Sequence, residues 1–192
     1  MKVDLSTPFA LLASLDIEEQ RVNRELRRDI GTGWRGVLLR VADFRFLVDM
    51  DSVSEVTDLP NLTPVPLADP AVLGVGNLRG LVLPVFDMGR LLLNKPLAGD
   101  GTAQRVVVAP QGQGMAGLLV DQVEGMRRCI PSQRRLEVPV PDAARPFVTG
   151  GFDLGHRLHP VLDLDLLLND SNRFAALGPA AVPGGQPTAA AV

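Results

Sequence analysis

One stretch of this chain occurs twice. Val75-Gly76-Asn77-Leu78-Arg79-Gly80-Leu81-Val82-Leu83-Pro84-Val85-Phe86-Asp87-Met88 returns without a gap as Gly151-Phe152-Asp153-Leu154-Gly155-His156-Arg157-Leu158-His159-Pro160-Val161-Leu162-Asp163-Leu164. Pro160 thus falls on Pro84, Asp163 on Asp87 and, one turn further, Leu167 on Leu91. Upstream, residues 48–56 have a counterpart in residues 118–126, with Asp121 on Asp51 and Val123 on Val53. A duplication constrains the fold more than any single motif. Each copy must adopt the same local structure, and neither is large enough to bury a good core alone.

The copies read as strands. From Trp34 onward, β-branched and apolar residues arrive in short runs cut by Gly, Pro, Asp and Asn, the pattern of short strands and turns. It predicts strands over 35–42, 44–48, 72–76, 81–86, 104–109, 115–120, 148–152 and 157–162. Residues 49–56 and 87–93 predict single helical turns, and Leu164, Leu167 and Leu168 share a face of a helix predicted over 163–175. Pro84 and Pro160 are expected late in an edge or terminal strand, where a missing amide costs no ladder bond, with the following Asp capping the next turn. The expected fold is mainly β, a pair of five-stranded barrels sharing a hydrophobic core, because closure removes unpaired strand edges.

Ahead of the repeat, Ser6-Thr7-Pro8 reads as a helix start, and Leu11, Leu15, Val22 and Leu26 then fall on one face before Gly31 supplies a stop. A helix over 7–29 follows. Residues 178–192 are rich in Ala, Pro and Gly without a charge, so they offer too little buried surface to offset ordering and are expected to be disordered. The chain divides into an N-terminal helical extension (1–32), a double-barrel domain (33–170), and a helix end with a disordered tail (171–192).

Composition narrows the function. A net charge of −3 gives no general attraction to nucleic acid or an anionic membrane. Cys129 is the single cysteine, which excludes an internal disulfide and fits a reducing compartment. No apolar run approaches the roughly 20 residues that span a bilayer, and the N-terminus lacks the pattern of a secretory signal. A soluble cytoplasmic protein without membrane insertion is expected.

Candidate chemistries are thin. His156 and His159 are three apart in a predicted strand, so they point to opposite faces and make a poor metal pair; both are expected to face solvent. Asp163 repeats Asp87 and reads as a cap, so its nearness to Asp153 and Asp165 does not make a catalytic pair. Gly74, Gly76 and Gly80 precede a strand, where a phosphate loop needs a helix N-terminus. Arg127, Arg128, Arg134 and Arg135 cluster, but the chain has no Tyr, and Trp34 and the Phe residues lie elsewhere, so a base-stacking platform is missing. No motif marks Cys129 or any serine as a nucleophile. A small hydrolase and a nucleic-acid-binding double barrel are the rival classes; neither a catalytic residue, a metal nor a cofactor is expected.

From Trp34 to Asn169 the chain resembles the CheW-like family of chemosensory coupling proteins. The segment Val72-Leu73-Gly74-Val75-Gly76-Asn77-Leu78-Arg79-Gly80, followed by Val82-Leu83-Pro84-Val85-Phe86-Asp87-Met88, is similar to the family's Asn-Leu-Arg-Gly and Pro-hydrophobic-hydrophobic-Asp region. Val53-Ser54-Glu55-Val56, Leu62-Thr63-Pro64-Val65-Pro66 and Gly117-Leu118-Leu119-Val120-Asp121-Gln122-Val123 support it. The resemblance implies two five-stranded barrels and a non-enzymatic adaptor that binds a chemoreceptor's cytoplasmic tip and the regulatory domain of a CheA-type histidine kinase. It also implies a receptor-facing groove at Glu55 and Arg79, with Val53, Asn77 and Leu78 beside them. The N-terminal extension, with Thr7-Pro8-Phe9-Ala10-Leu11-Leu12 near its start, resembles the branch serving type IV pilus twitching motility, with the flagellar adaptors as the alternative. In the second copy Gly155 replaces Arg79 and Asp153 replaces Asn77, so the implied receptor chemistry belongs to the first copy alone.

Overall fold

The computed structural model describes residues 33–99 and 101–170. The helix expected over 7–29, and the disordered tail expected over 178–192, fall outside them. Eleven strands and two short helices follow in order: β1 (Trp34–Val41), β2 (Phe44–Asp49), β3 (Glu55–Thr57), β4 (Val72–Leu78), β5 (Leu81–Asp87), α1 (Met88–Leu93), β6 (Arg105–Gln111), β7 (Gly114–Val120), β8 (Gln122–Cys129), β9 (Arg134–Arg135), β10 (Val148–Leu154), β11 (Arg157–Leu162) and α2 (Leu164–Leu168).

All eight strands expected from the apolar runs are present. Three more are not marked by such runs. The helical turn expected over 49–56 is a single 3-10 turn at Met50–Ser52, capped by Asp49, whose side chain accepts the Asp51 amide; the chain then extends into β3. β8 carries Glu124, Arg127 and Arg128 and lacks alternation, yet it pairs along β1 from Trp34↔Cys129 to Arg40↔Gln122. Within the described residues, α2 stops at Leu168 where the expected helix continued to 175.

The sheets are ordered β8-β1-β2-β11-β10-β9 and β3-β6-β7-β5-β4. In the repeat, β1 and β2 match β6 and β7, while β3, β4 and β5 match β8, β10 and β11. The two sheets are therefore the same arrangement, each built from the first two strands of one copy and the last three of the other. The copies are exchanged through two parallel pairings, β5 with β7 and β11 with β2. This corrects the expected place of the prolines. Pro84 and Pro160 lie in inner strands, each one residue before the parallel ladder begins at Val85↔Gly117 and Val161↔Leu47. An amide is dispensable there because the neighbouring ladder has not started.

Even the outermost additions repeat. β9 pairs with β10, and in the other sheet Thr63 pairs with Val75 of β4 through two 2.9 Å backbone hydrogen bonds. The segment after β3 thus crosses to the far end of its own sheet, and the sheet curls.

Three apolar clusters result. Between the sheets, Val37, Leu39, Val41, Phe46 and Val48 meet Phe86, Val107, Ala109, Ala116, Leu118 and Val120, with Leu91, Leu92, Leu164, Leu167 and Leu168 from the helices. The opposite face of the five-stranded sheet gathers Leu83, Val85, Val106, Val108 and Leu119. That of the six-stranded sheet gathers Leu38, Leu47, Cys129 and Phe152, with Trp34 stacked on Phe152 at 5.1 Å between ring centroids. Strands buried on both faces need apolar residues at consecutive positions, which is why 37–39, 46–48, 106–109 and 118–120 are uninterrupted hydrophobic runs at the centres of β1, β2, β6 and β7.

Both expected caps are formed. Asp87 accepts the amides of Gly89 and Arg90 at the start of α1, and Asp163 accepts those of Asp165 and Leu166 at the start of α2.

Candidate functional site

β4 and β5 form a hairpin whose last pairs are Asn77↔Val82 and Leu78↔Leu81, leaving Arg79-Gly80 as a two-residue turn. Both turn residues have positive φ, 51° for Arg79 and 86° for Gly80, as a type I′ turn requires. Asn77 fastens it, its side-chain oxygen accepting the Gly80 amide at 3.0 Å. The second copy makes the same turn between Leu154 and Arg157 with Gly155 at 62° and His156 at 67°. Glycine therefore stands in the second copy where Arg79 stands in the first. An L-residue in this conformation costs about 1 kcal/mol.

What Arg79 gains structurally is small. Its Nη2 lies 2.9 Å from Glu55 Oε2, but the Arg79 side chain is 80% exposed and that of Glu55 24%. A pair this open contributes between about 0 and 1 kcal/mol. The second copy carries its own non-glycine residue at positive φ in this turn, His156, so what sets the first copy apart is the exposed guanidinium beside Glu55 and not the strain. β3 and β4 are the two ends of the five-stranded sheet, so the ion pair spans the gap between them.

Of the five residues implied for this surface, Glu55 and Arg79 are brought into contact, and Asn77 supports the turn. Leu78 packs on the inner cluster of the five-stranded sheet and Val53 on the cluster between the sheets, so both are partly committed to the core. Two neighbours were missed. Leu81 and Val82 follow the turn directly and are 60% and 64% exposed. The signal was available: they belong to an apolar run longer than one buried strand face can use.

The other candidates separate cleanly. His156 lies in the exposed turn, but His159 is buried, correcting the expectation that both face solvent. Burial is the first cause holding His159 below the ordinary histidine range, with Arg45 adding to it. Burial pushes the Cys129 thiol up to about 11, which leaves it a packing residue. Asp153 lies 3.9 Å from Arg135. Asp121, buried, accepts the Ala42 amide at 2.6 Å and so holds the β1–β2 turn, where Ala42 has φ 52°. An open hollow of about 650 Å³ beside it is lined by Arg40, Asp43, Lys95 and Gln104, but its one buried carboxylate is already engaged. Among the described residues no group of three or more His, Cys, Asp or Glu is placed to hold a metal ion, and no helix is long and apolar enough to cross a membrane.

The two strand-exchanged sheets spend their buried carboxylates, Asp87 and Asp121, on a cap and a turn, and hold Arg79 out in a tight hairpin turn. The family profile described as CheW-like domain matches residues 35–172. This chain belongs to the CheW-like family, a family of non-catalytic scaffold and adaptor proteins. It is 33% identical to Protein PilI of Pseudomonas aeruginosa, across 83% of this chain and 89% of that one. It is 34% identical to the chemotaxis protein CheW of Rhizobium meliloti (73% and 90%) and 36% identical to Protein FrzA of Myxococcus xanthus (62% and 68%). The crystal structure of the scaffolding protein TtCheW from Thermoanaerobacter tengcongensis shares the fold, with a TM-score of 0.64 at 22% identity over 71% of this chain and 93% of that one.

Proposed function

We propose that this chain is a cytoplasmic adaptor coupling the helical tip of a methyl-accepting chemoreceptor to the regulatory domain of a CheA-type histidine kinase, in a system that controls type IV pilus motility. The observation that carries the reading is Arg79, held exposed at φ 51° beside Glu55 where the second copy has glycine. In this role the charged pair fixes the orientation of an amphipathic receptor helix. Leu78, Leu81 and Val82 receive its apolar face, and Val53 and Asn77 shape the wall, a helix-in-groove mode. The likeness to PilI along most of both chains supports the pilus branch.

A flagellar-type chemotaxis adaptor is the second reading, favoured by the 34% identity to the Rhizobium meliloti CheW. Titration of the full chain with a receptor tip and with a CheA-type kinase, from a pilus system and from a flagellar one, tests both. Saturable binding to the pilus pair supports the proposal. Preference for the flagellar pair selects the second reading, and failure of every partner at micromolar concentration removes both.

A further inference from the structure

The two sheets repeat each other in backbone, yet they differ where their first strands begin. In the five-stranded sheet, one step beyond the pair Val106↔Thr57, Arg105 of β6 meets Asp58 in an ion pair of 3.4 Å. The same place in the six-stranded sheet is filled by Arg35 of β1 directly opposite Arg128 of β8, both exposed. Like charges directly opposite each other across a ladder are destabilising. The six-stranded sheet therefore holds two guanidinium groups where its sister sheet holds a guanidinium and a carboxylate.

Apolar side chains flank the two arginines. Met126 shares the face of Arg128 on β8 and is 63% exposed, and Ile130, just past the end of that strand, is 49% exposed. This strip is also where residues 1–32 join the sheet. Gly33 precedes β1, and a Cβ there would lie 3.3 Å from Arg128 Nε. The helix predicted over 7–29 ends four residues before Gly33, a connection that reaches at most about 14 Å. Asp29 comes three residues after Leu26 and seven after Val22, so on such a helix it continues the apolar line of Leu11, Leu15, Val22 and Leu26. A carboxylate in line with an apolar stripe complements a strip that is apolar and basic.

We propose that residues 7–29 of this chain dock on that strip, with Asp29 supplying the carboxylate to Arg35 and Arg128 and Leu26 packing on Met126. The occupant is the chain's own extension because the short connection to Gly33 holds it at a roughly millimolar effective concentration, which a separate partner must exceed. Docked there, the extension covers one face of the edge strand β8, so a protein that binds at this edge must first displace it. The assignment goes beyond the coupling function proposed above and does not depend on it.

Cys129 is buried, so cysteines introduced elsewhere in the full chain can be crosslinked without it. The pair Leu26→Cys, Met126→Cys is expected to form a disulfide within one chain under mild oxidation, at a rate independent of protein concentration. The control pair is Leu26→Cys with Val56→Cys, since Val56 is the sister sheet's counterpart of Met126 and is also exposed. It is expected to react about tenfold more slowly or less. Two further changes are each expected to slow the first crosslink about fivefold: Asp29→Asn, which removes the carboxylate, and Arg128→Asp, which gives Arg35 the partner that Arg105 has in the sister sheet. Equal rates for the two pairs, a crosslink formed only between chains, or a rate unchanged by Asp29→Asn would each overturn the inference. Neither receptor nor kinase enters this test, so its failure leaves the coupling function standing.

Discussion

Arg79 and His159 are costly residues that the repeat shows to be replaceable. Arg79→Gly installs the residue that the second copy uses in the same turn, relieving about 1 kcal/mol of left-handed strain while adding a comparable entropy to the unfolded chain. The urea midpoint is expected to stay within about 0.5 kcal/mol of the parent while receptor binding falls about tenfold or more. A clear loss of stability with normal binding would make Arg79 structural. Gly80→Val is the contrasting change. A Cβ there meets nothing within 4 Å, so the penalty is conformational only. At φ 86° a β-branched residue is expected to cost about 2 kcal/mol, read as a lowered urea midpoint. His159 adds a pH dependence. Its folded pKa is lowered by burial, so in the window between that value and the ordinary histidine pKa the unfolded chain binds more protons than the folded one. This group's contribution is therefore complete above about pH 6.5 and is lost as pH falls towards the folded pKa. His159→Leu, the sister sheet's residue, is expected to flatten that part of the profile in urea titrations at about pH 7.5 and 5.5. A profile identical to the parent's would show that His159 is not the group responsible.

The strands with doubled apolar runs were legible because burial on two faces leaves a continuous hydrophobic signature. β3, β8 and β9 were not, because they are held by backbone pairing to neighbours and show charged or exposed side chains. For the candidate site, the Asn-Leu-Arg-Gly turn and Glu55 came from a resemblance of motif. Their contact depends on the curl of a sheet that joins distant segments, which no local pattern records. Strand parity did not apply to His156, which lies in the turn before β11, and parity does not say which face of β11 is covered at His159. The caps were fully legible, and they differ in weight. Asp87 is 3% exposed and accepts three amides, those of Gly89, Arg90 and Leu97, whereas Asp163 is half-buried and accepts two. Asp87→Ala leaves buried donors unsatisfied and is expected to cost about 3 kcal/mol against about 1 for Asp163→Ala, compared by urea midpoint. Equal losses would show that burial of the cap does not set its value.

The exchange of strands was invisible in the sequence, because a duplicated pattern reads the same whether each copy closes on itself or lends strands to the other. It has a mechanical consequence. Phe86 of one copy packs in the same cluster as Leu118 of the other, while Val161 of the second copy pairs with Leu47 of the first, so neither copy contains a complete sheet. A pair of independent barrels would let one half survive the loss of the other. Here residues 33–99 alone would expose the apolar faces that β6, β7, β8, β10 and β11 cover, and the same holds in reverse for residues 101–170. Each fragment is expected to be unfolded by near-ultraviolet circular dichroism, and mixing equal amounts is expected to restore a single cooperative transition, since the native pairings then re-form between chains. A folded, monomeric fragment 33–99 would contradict the exchange. The same interlock makes the scaffold act as one unit: a load applied at the Arg79 hairpin of the five-stranded sheet passes through β7 and β5 into the seam, where it meets strands that also belong to the six-stranded sheet. If the chain couples two partners as proposed, a body that cannot come apart at its own repeat boundary is what keeps them at a fixed distance.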